Sequence, residues 1–320
     1  MRALVHHAGR PGELTMEERA APAARPAELL LRVRACGVCR TDLHIVDEEL
    51  RPKHDAIVPG HQIVGEVVGE SRRVGVSWLG GVDGTCPFCR SGAENLCDAP
   101  RFTGYDRDGG YAEYAVVRED FAIPIPDSLT DTQAAPLLCA GIIGFRALRV
   151  AGVRPGERVG LYGFGSSAHL ALQLLRAWNC DVYVATRGES HRQLAREFGA
   201  AWTGEQMEKP PVQLDRAVTF APSGEVVISA LSALRKGGIV AINAIHLDCM
   251  PAFDYDTLLW GERQIRSVTN MTRADAHDFL AEVAQHGVRP RSTAFSLEDG
   301  AAALEAVRRD QVNGSAVIFP

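Results

Sequence analysis

The run Arg158-Val-Gly-Leu-Tyr-Gly163-Phe-Gly165-Ser-Ser-Ala168 passes from a short apolar strand, through a glycine turn, into a helix with Leu170, Leu174 and Ala177 on one face. Gly163 permits the tight turn, Gly165 lets backbone approach a pyrophosphate, and Ala168 lets helix and strand pack closely, while the helix N-terminus attracts phosphate. A tight turn with no ligand would use the same residues. The downstream pattern favours the nucleotide reading. Asp181 to Thr186 is the next strand, then a helix over 190–198, a strand over 216–220, a helix from Val226 to Lys236 and a strand from Ile239 to Ile245. Such alternation requires right-handed crossovers and a parallel sheet.

Upstream of residue 145 the pattern changes to short strands and loops: 28–34, 62–68 and 110–117, punctuated by Gly, Pro and Asp. This half reads as an antiparallel β domain that carries metal. The tail beyond Ala276 has two helical segments and an apolar strand, Ser315 to Phe319, expected to return to the first domain. The fold class is therefore α/β, with a β-rich domain over 1–145 and 277–320 and a parallel-sheet nucleotide-binding domain over 146–276.

With 320 residues, 46% hydrophobic and 23% charged, the chain has ordinary globular composition and room for two domains. A net charge of −6 with interspersed Arg and acidic residues leaves no basic stripe for nucleic acid. The opening residues do not form a secretory signal. The longest apolar stretch, Ala134 to Phe145, is short against the roughly 30 Å of bilayer hydrocarbon, so no membrane partner is expected. A cytoplasmic location is expected, where eight cysteines are better read as metal ligands or buried thiols than as disulfides.

Two cysteine constellations stand out. Cys86 and Cys89 form a CxxC pair, with Cys97 downstream and Asp83 upstream; such a set can close a tetrahedron around structural zinc, with a hard carboxylate replacing a soft thiolate. Buried, unmetallated thiols are the alternative. The second set is Cys36-Gly-Val-Cys39-Arg-Thr-Asp42-Leu-His44, then Gly60-His61-Gln62, then Cys139. Spacing alone allows a closed site of Cys36, Cys39, His61 and Cys139, or an open one lacking Cys36.

The strings GVCRTDLH, PGHQ, LLCAGIIG and YGFGSSA, with the cysteine lobe between them, resemble zinc-dependent alcohol dehydrogenases of the medium-chain dehydrogenase/reductase superfamily. The match runs almost end to end. The nearest branch has Gln in the histidine box and Thr-Arg after the second nucleotide-domain strand. The resemblance implies a GroES-like domain with a Rossmann domain, a dimer or tetramer, and reversible hydride transfer between a small-molecule alcohol and NAD(P), giving an aldehyde or ketone. It also implies two zinc ions per chain. By position, Cys39, His61 and Cys139 hold the catalytic zinc, and Asp83, Cys86, Cys89 and Cys97 the structural one. Asp42 and Gln62 support the ligands, Arg40 and Arg273 join the cofactor-binding residues, and Thr41 and His44 form a proton relay.

Three departures matter: Gln62 where Glu is usual, Asp83 where the first lobe cysteine is usual, and a shortened segment before Val74. Trp78, Phe102 and Tyr105 are candidates for an apolar substrate wall. Cofactor choice turns on Thr186 and Arg187, which stand where NAD-binding domains usually place a carboxylate. With Arg192 beginning the next helix, NADP(H) is expected to be favoured over NAD(H). A zinc-free quinone or enone reductase of the same superfamily lacks these ligands, and a non-catalytic nucleotide-binding redox sensor would not need the relay.

Overall fold

A computed structural model describes all 320 residues and divides into two compact units. Unit 1 comprises 1–142, 270–284 and 290–320, and unit 2 comprises 143–269 and 285–289. The second crossing therefore comes at Asn270, earlier than residue 277, because the helix Arg273–His286 starts upstream of the apolar residues that mark it in the sequence.

Unit 2 is built on a six-stranded, all-parallel sheet whose central pair is Arg158–Tyr162 and Leu214–Thr219. Its outer strands, Trp202–Gly204 and Gln264–Ser267, are absent from the sequence reading, being short and polar enough to resemble loop. The helix Gly224–Ala233 ends before Lys236, and the strand already begins at Leu234. Leu234, Arg235 and Lys236 continue an apolar-polar pattern that suits either element, and Gly237, at φ +72°, interrupts the strand's register with Leu214–Thr219.

Unit 1 centres on a seven-stranded sheet in which the long strand Glu28–Val38 pairs with Gln62–Val67, Tyr114–Arg118 and Ser315–Phe319, all antiparallel. The terminal strand thus returns to the first unit. It also pairs parallel with Ser292–Ser296, so the sheet is mixed; the helix Gly300–Arg308 supplies the crossover that parallel pairing demands. The shortened segment is a closed hairpin in which Gln62–Val67 meets Arg73–Val76 with Glu66 opposite Arg73.

Asp131–Pro136, a π-helical turn Leu137–Gly141 and Ile142–Ala151 run on as one helical segment of 21 residues. That is long enough to cross a membrane by length and composition, so the apolar segment is not too short, contrary to its reading in the sequence. Its apolar window is instead 78% buried within the protein, as a core helix would be.

Candidate active site and nucleotide turn

Three elements of unit 1 bring Cys39, His61 and Cys139 together, with their ligand atoms all within 4.8 Å of one another. Cys39 precedes the helix Arg40–Val46, and its backbone N–H donates to Asp42 Oδ2 at 2.9 Å. His61 follows Gly60, whose φ of +93° turns the chain into the next strand. Cys139 lies on the π turn. Pro136 has no N–H to give the preceding turn, and the five residues after it widen.

Cys36 is buried outside this group, its thiol donating weakly to Gly37 O at 3.7 Å. Of the two arrangements that spacing allows, only the three-residue one is gathered.

Asp42 is fully buried and accepts four hydrogen bonds. Oδ1 receives them from Gly60 N at 3.2 Å and His61 Nδ1 at 3.0 Å; Oδ2 receives them from Cys39 N at 2.9 Å and Tyr111 Oη at 3.0 Å. With Nδ1 engaged, His61 Nε2 is left as a buried nitrogen with no partner. A nitrogen in that condition beside two sulfurs is a donor set suited to a borderline metal such as zinc. Burial depresses the imidazole, but Asp42 and the Cys39 sulfur outweigh it and carry His61 up to about 10. The hydrogen bond with Cys139 holds Cys39 well below the usual thiol range and raises Cys139. A metal taking these ligands must therefore displace protons.

Gln62 is buried, and its Oε1 accepts from Ala140 N at 3.4 Å, so an uncharged amide ties the histidine box to the turn bearing Cys139. Thr41 is buried, its Oγ1 lying 3.5 Å from Cys39 Sγ. His44 is on the same short helix, with Nδ1 bonded to Glu49. Arg40 is exposed at the helix start. Trp78 sets its ring edge-on to His61 at 5.1 Å and stacks on Phe102 at 4.8 Å, with Tyr105 at 6.1 Å, so the three aromatic candidates form one slab beside the histidine.

The second cluster, Asp83, Cys86, Cys89 and Cys97, is also drawn within 4.8 Å. Asp83 Oδ1 accepts from Thr85 N at 2.6 Å and Cys86 N at 2.8 Å, which turns the chain into the CxxC loop. Its Oδ2 faces Cys97 Sγ at 3.2 Å. These backbone donors, Cys86 first, hold the Asp83 carboxyl far below its ordinary range.

Arg273 departs from expectation. Its guanidinium is bound to Glu94 of the cysteine lobe, with Nη2 at 2.6 Å from Oε2, and reaches Asp120 at 3.4 Å. It braces the lobe from within unit 1 and is not free for a cofactor phosphate.

In unit 2, Gly163 takes φ +88°, where a Cβ would come 3.1 Å from Ala221 N. A Cβ at Gly165 would meet nothing within 4 Å, so space is open in front of a helix start that no side chain caps. Ala168 is fully buried behind it. Thr186 is buried and Arg187 is exposed without an ion pair. Arg192 differs from Arg187: it is held by Glu189 at 3.0 Å, Glu205 at 2.7 Å and the Thr186 carbonyl at 3.1 Å. Its charge is largely answered.

Residues 25–127 match the alcohol dehydrogenase GroES-like domain. A Mycobacterium tuberculosis protein described as "Probable alcohol dehydrogenase AdhA" is 45% identical over 312 residues, covering 93% of this chain and 90% of its own. The chain belongs to the alcohol dehydrogenase family. An alcohol dehydrogenase of Geobacillus stearothermophilus is 32% identical over 95% of both chains. The structure of acetophenone reductase from Geotrichum candidum in complex with NAD superposes with a TM-score of 0.89 at 25% identity, covering 100% of this chain and 97% of that one. The medium-chain alcohol dehydrogenase fold and alcohol dehydrogenation, both expected from the motifs, are thus those of the family.

One contributor escapes the sequence reading. The pattern over 110–117 makes Tyr111 an ordinary strand residue, yet the strand begins at Tyr114 and Tyr111 is fully buried against Asp42. The close glycines before it, Gly109 and Gly110, are the available signal.

Proposed function

We propose that this alcohol dehydrogenase is zinc-dependent and prefers NADP(H), interconverting a small-molecule alcohol with an aldehyde or ketone. The observation that carries the zinc reading is the buried, unpartnered Nε2 of His61 beside the sulfurs of Cys39 and Cys139. Those three residues would hold the catalytic ion, and Asp83, Cys86, Cys89 and Cys97 a structural one. When bound, zinc supplies Lewis acidity towards the substrate oxygen, and the nicotinamide supplies the hydride acceptor or donor.

The chain's own groups handle the proton. Thr41 Oγ1, at the start of the helix that Cys39 precedes, takes the proton of the substrate hydroxyl in the oxidation direction. His44 is the terminal base, its Nδ1 committed to Glu49 and its other nitrogen available for exchange. Asp42 fixes the tautomer of His61, so that Nε2 carries the lone pair towards the ligand cluster. Trp78, Phe102 and Tyr105 keep water from one side of the histidine.

Cofactor preference rests on Arg187, whose unpaired planar guanidinium suits a 2′-phosphate, and on the missing carboxylate at Thr186. The turn Gly163, Gly165 and Ala168 would cradle the cofactor pyrophosphate, and Arg40 stands as a cofactor-phosphate contact on the resemblance to the family alone. The proposal includes a cytoplasmic homo-oligomer without nucleic-acid or membrane partners. A panel of alcohols and aldehydes, run with NADH and NADPH on protein of measured zinc content, tests it. Turnover that survives complete removal of zinc would sink the zinc reading, and kcat/KM for NADH at or above that for NADPH would sink the cofactor reading.

A further inference from the structure

Tyr111 makes a contact that the proposed chemistry has not used. Its Oη donates to Asp42 Oδ2 at 3.0 Å, while the other oxygen of the same carboxylate accepts from His61 Nδ1 at 3.0 Å. Both Tyr111 and Asp42 are fully buried. Of the four donors to Asp42, two are backbone N–H groups and one is the candidate ligand itself. Tyr111 is thus the only other side chain that fixes how the carboxylate is rotated.

Local backbone serves this contact. A Cβ on Gly60 would lie 2.5 Å from the Tyr111 ring, so glycine beside His61 is what admits the ring. The Tyr111 N–H donates to Pro59 O at 3.1 Å, and its carbonyl accepts from Leu4 N at 2.8 Å, which locks the residue on both sides. A buried carboxylate short of a donor is unstable and turns to find another.

We propose that Tyr111 is a positioning residue: its hydroxyl holds Asp42 so that His61 keeps Nε2 aimed at the Cys39 and Cys139 sulfurs, and it thereby slows loss of metal from that cluster. The inference rests on the zinc reading above. Partners behind a ligating histidine commonly change metal affinity by about 10–100-fold when removed. Tyr111→Phe deletes the donor and keeps the ring.

The test loads wild type, Tyr111→Phe, Asp42→Asn and the double variant with Zn2+, then tracks zinc transfer to a colorimetric chelator. The lobe site releases its own zinc and acts as an internal control. The expected result is about tenfold faster release from the Cys39/His61/Cys139 cluster in Tyr111→Phe, an unchanged lobe phase, and no added effect of Tyr111→Phe in the Asp42→Asn background. An unchanged cluster rate overturns the inference, whatever the thermal midpoint of the variant. Equal acceleration of both phases overturns it too, since that is general loosening. Full additivity with Asp42→Asn would mean that the hydroxyl does not act through Asp42. Wild type that takes up no zinc at the cluster would remove the parent reading, and this one with it.

Discussion

At the end of the strand Asp181–Ala185, Arg187 and Arg192 carry the same charge into different settings. Arg192 is spent on Glu189, Glu205 and a carbonyl, whereas Arg187 is exposed and unpaired. Only the second can offer a full charge to a phosphate. Losing one charged hydrogen bond costs about 1.5–3 kcal/mol, or roughly ten- to a hundredfold in affinity. Arg187→Ala should therefore raise the KM for NADPH by that factor and leave NADH nearly unchanged in steady-state kinetics; equal effects on both would make Arg187 a stacking residue. The ligands give a sharper contrast. Cys39→Ser, His61→Ala and Cys139→Ser should each abolish alcohol oxidation while NADPH fluorescence titration still reports binding, because the glycine turn lies in unit 2. Cys36→Ser should be mild. Sequence spacing does not separate Cys36 from Cys39, because both lie at one strand-to-helix junction. What separates them is that the strand buries Cys36 on its own face.

At the scale of elements, legibility tracks the length and regularity of the apolar pattern. Arg158–Tyr162 and the helix behind it are readable from the sequence, because strand, glycine turn and helix all agree there. The short edge strands are not, since three or four paired residues carry little periodicity. Nor is the π turn: Pro136 signals an interruption, but not that the chain continues as helix. That turn makes a direct prediction. A Cβ at Gly141 would come 2.4 Å from the Phe279 ring. Gly141→Ala should cost about 1–3 kcal/mol by overpacking, seen as a lower midpoint in urea, and should disturb the Cys139 cluster before the lobe. The lobe makes another. Because Asp83 offers oxygen where thiolate would bind more softly, a chelator should strip this zinc readily, and Asp83→Cys should slow its release. Fresh, fully active protein with a single zinc per chain would refute a required lobe ion. Arg273 eludes the sequence because its pairing with Glu94 joins residues far apart in the chain, which no local pattern encodes.

For the whole molecule, composition and charge bound the answer, while the order of segments in space comes only from the structure. Unit 2 is almost continuous in the chain, but the sheet of unit 1 draws strands from both ends. Ser315–Phe319 lies between Glu28–Val38 and Ser292–Ser296, so both neighbours present open edges until it arrives. Synthesis runs from the N-terminus, and pairings that span most of a chain form late. On the ribosome, the nucleotide-binding unit should therefore become protease-resistant while unit 1, which holds both candidate metal clusters, still waits for Ser315–Phe319 to emerge. A stalled nascent chain ending at Gly314 should show this as protection confined to unit 2, and the same truncation released as free protein should aggregate. Metal uptake at either candidate cluster would then follow the docking of Ser315–Phe319 rather than precede it.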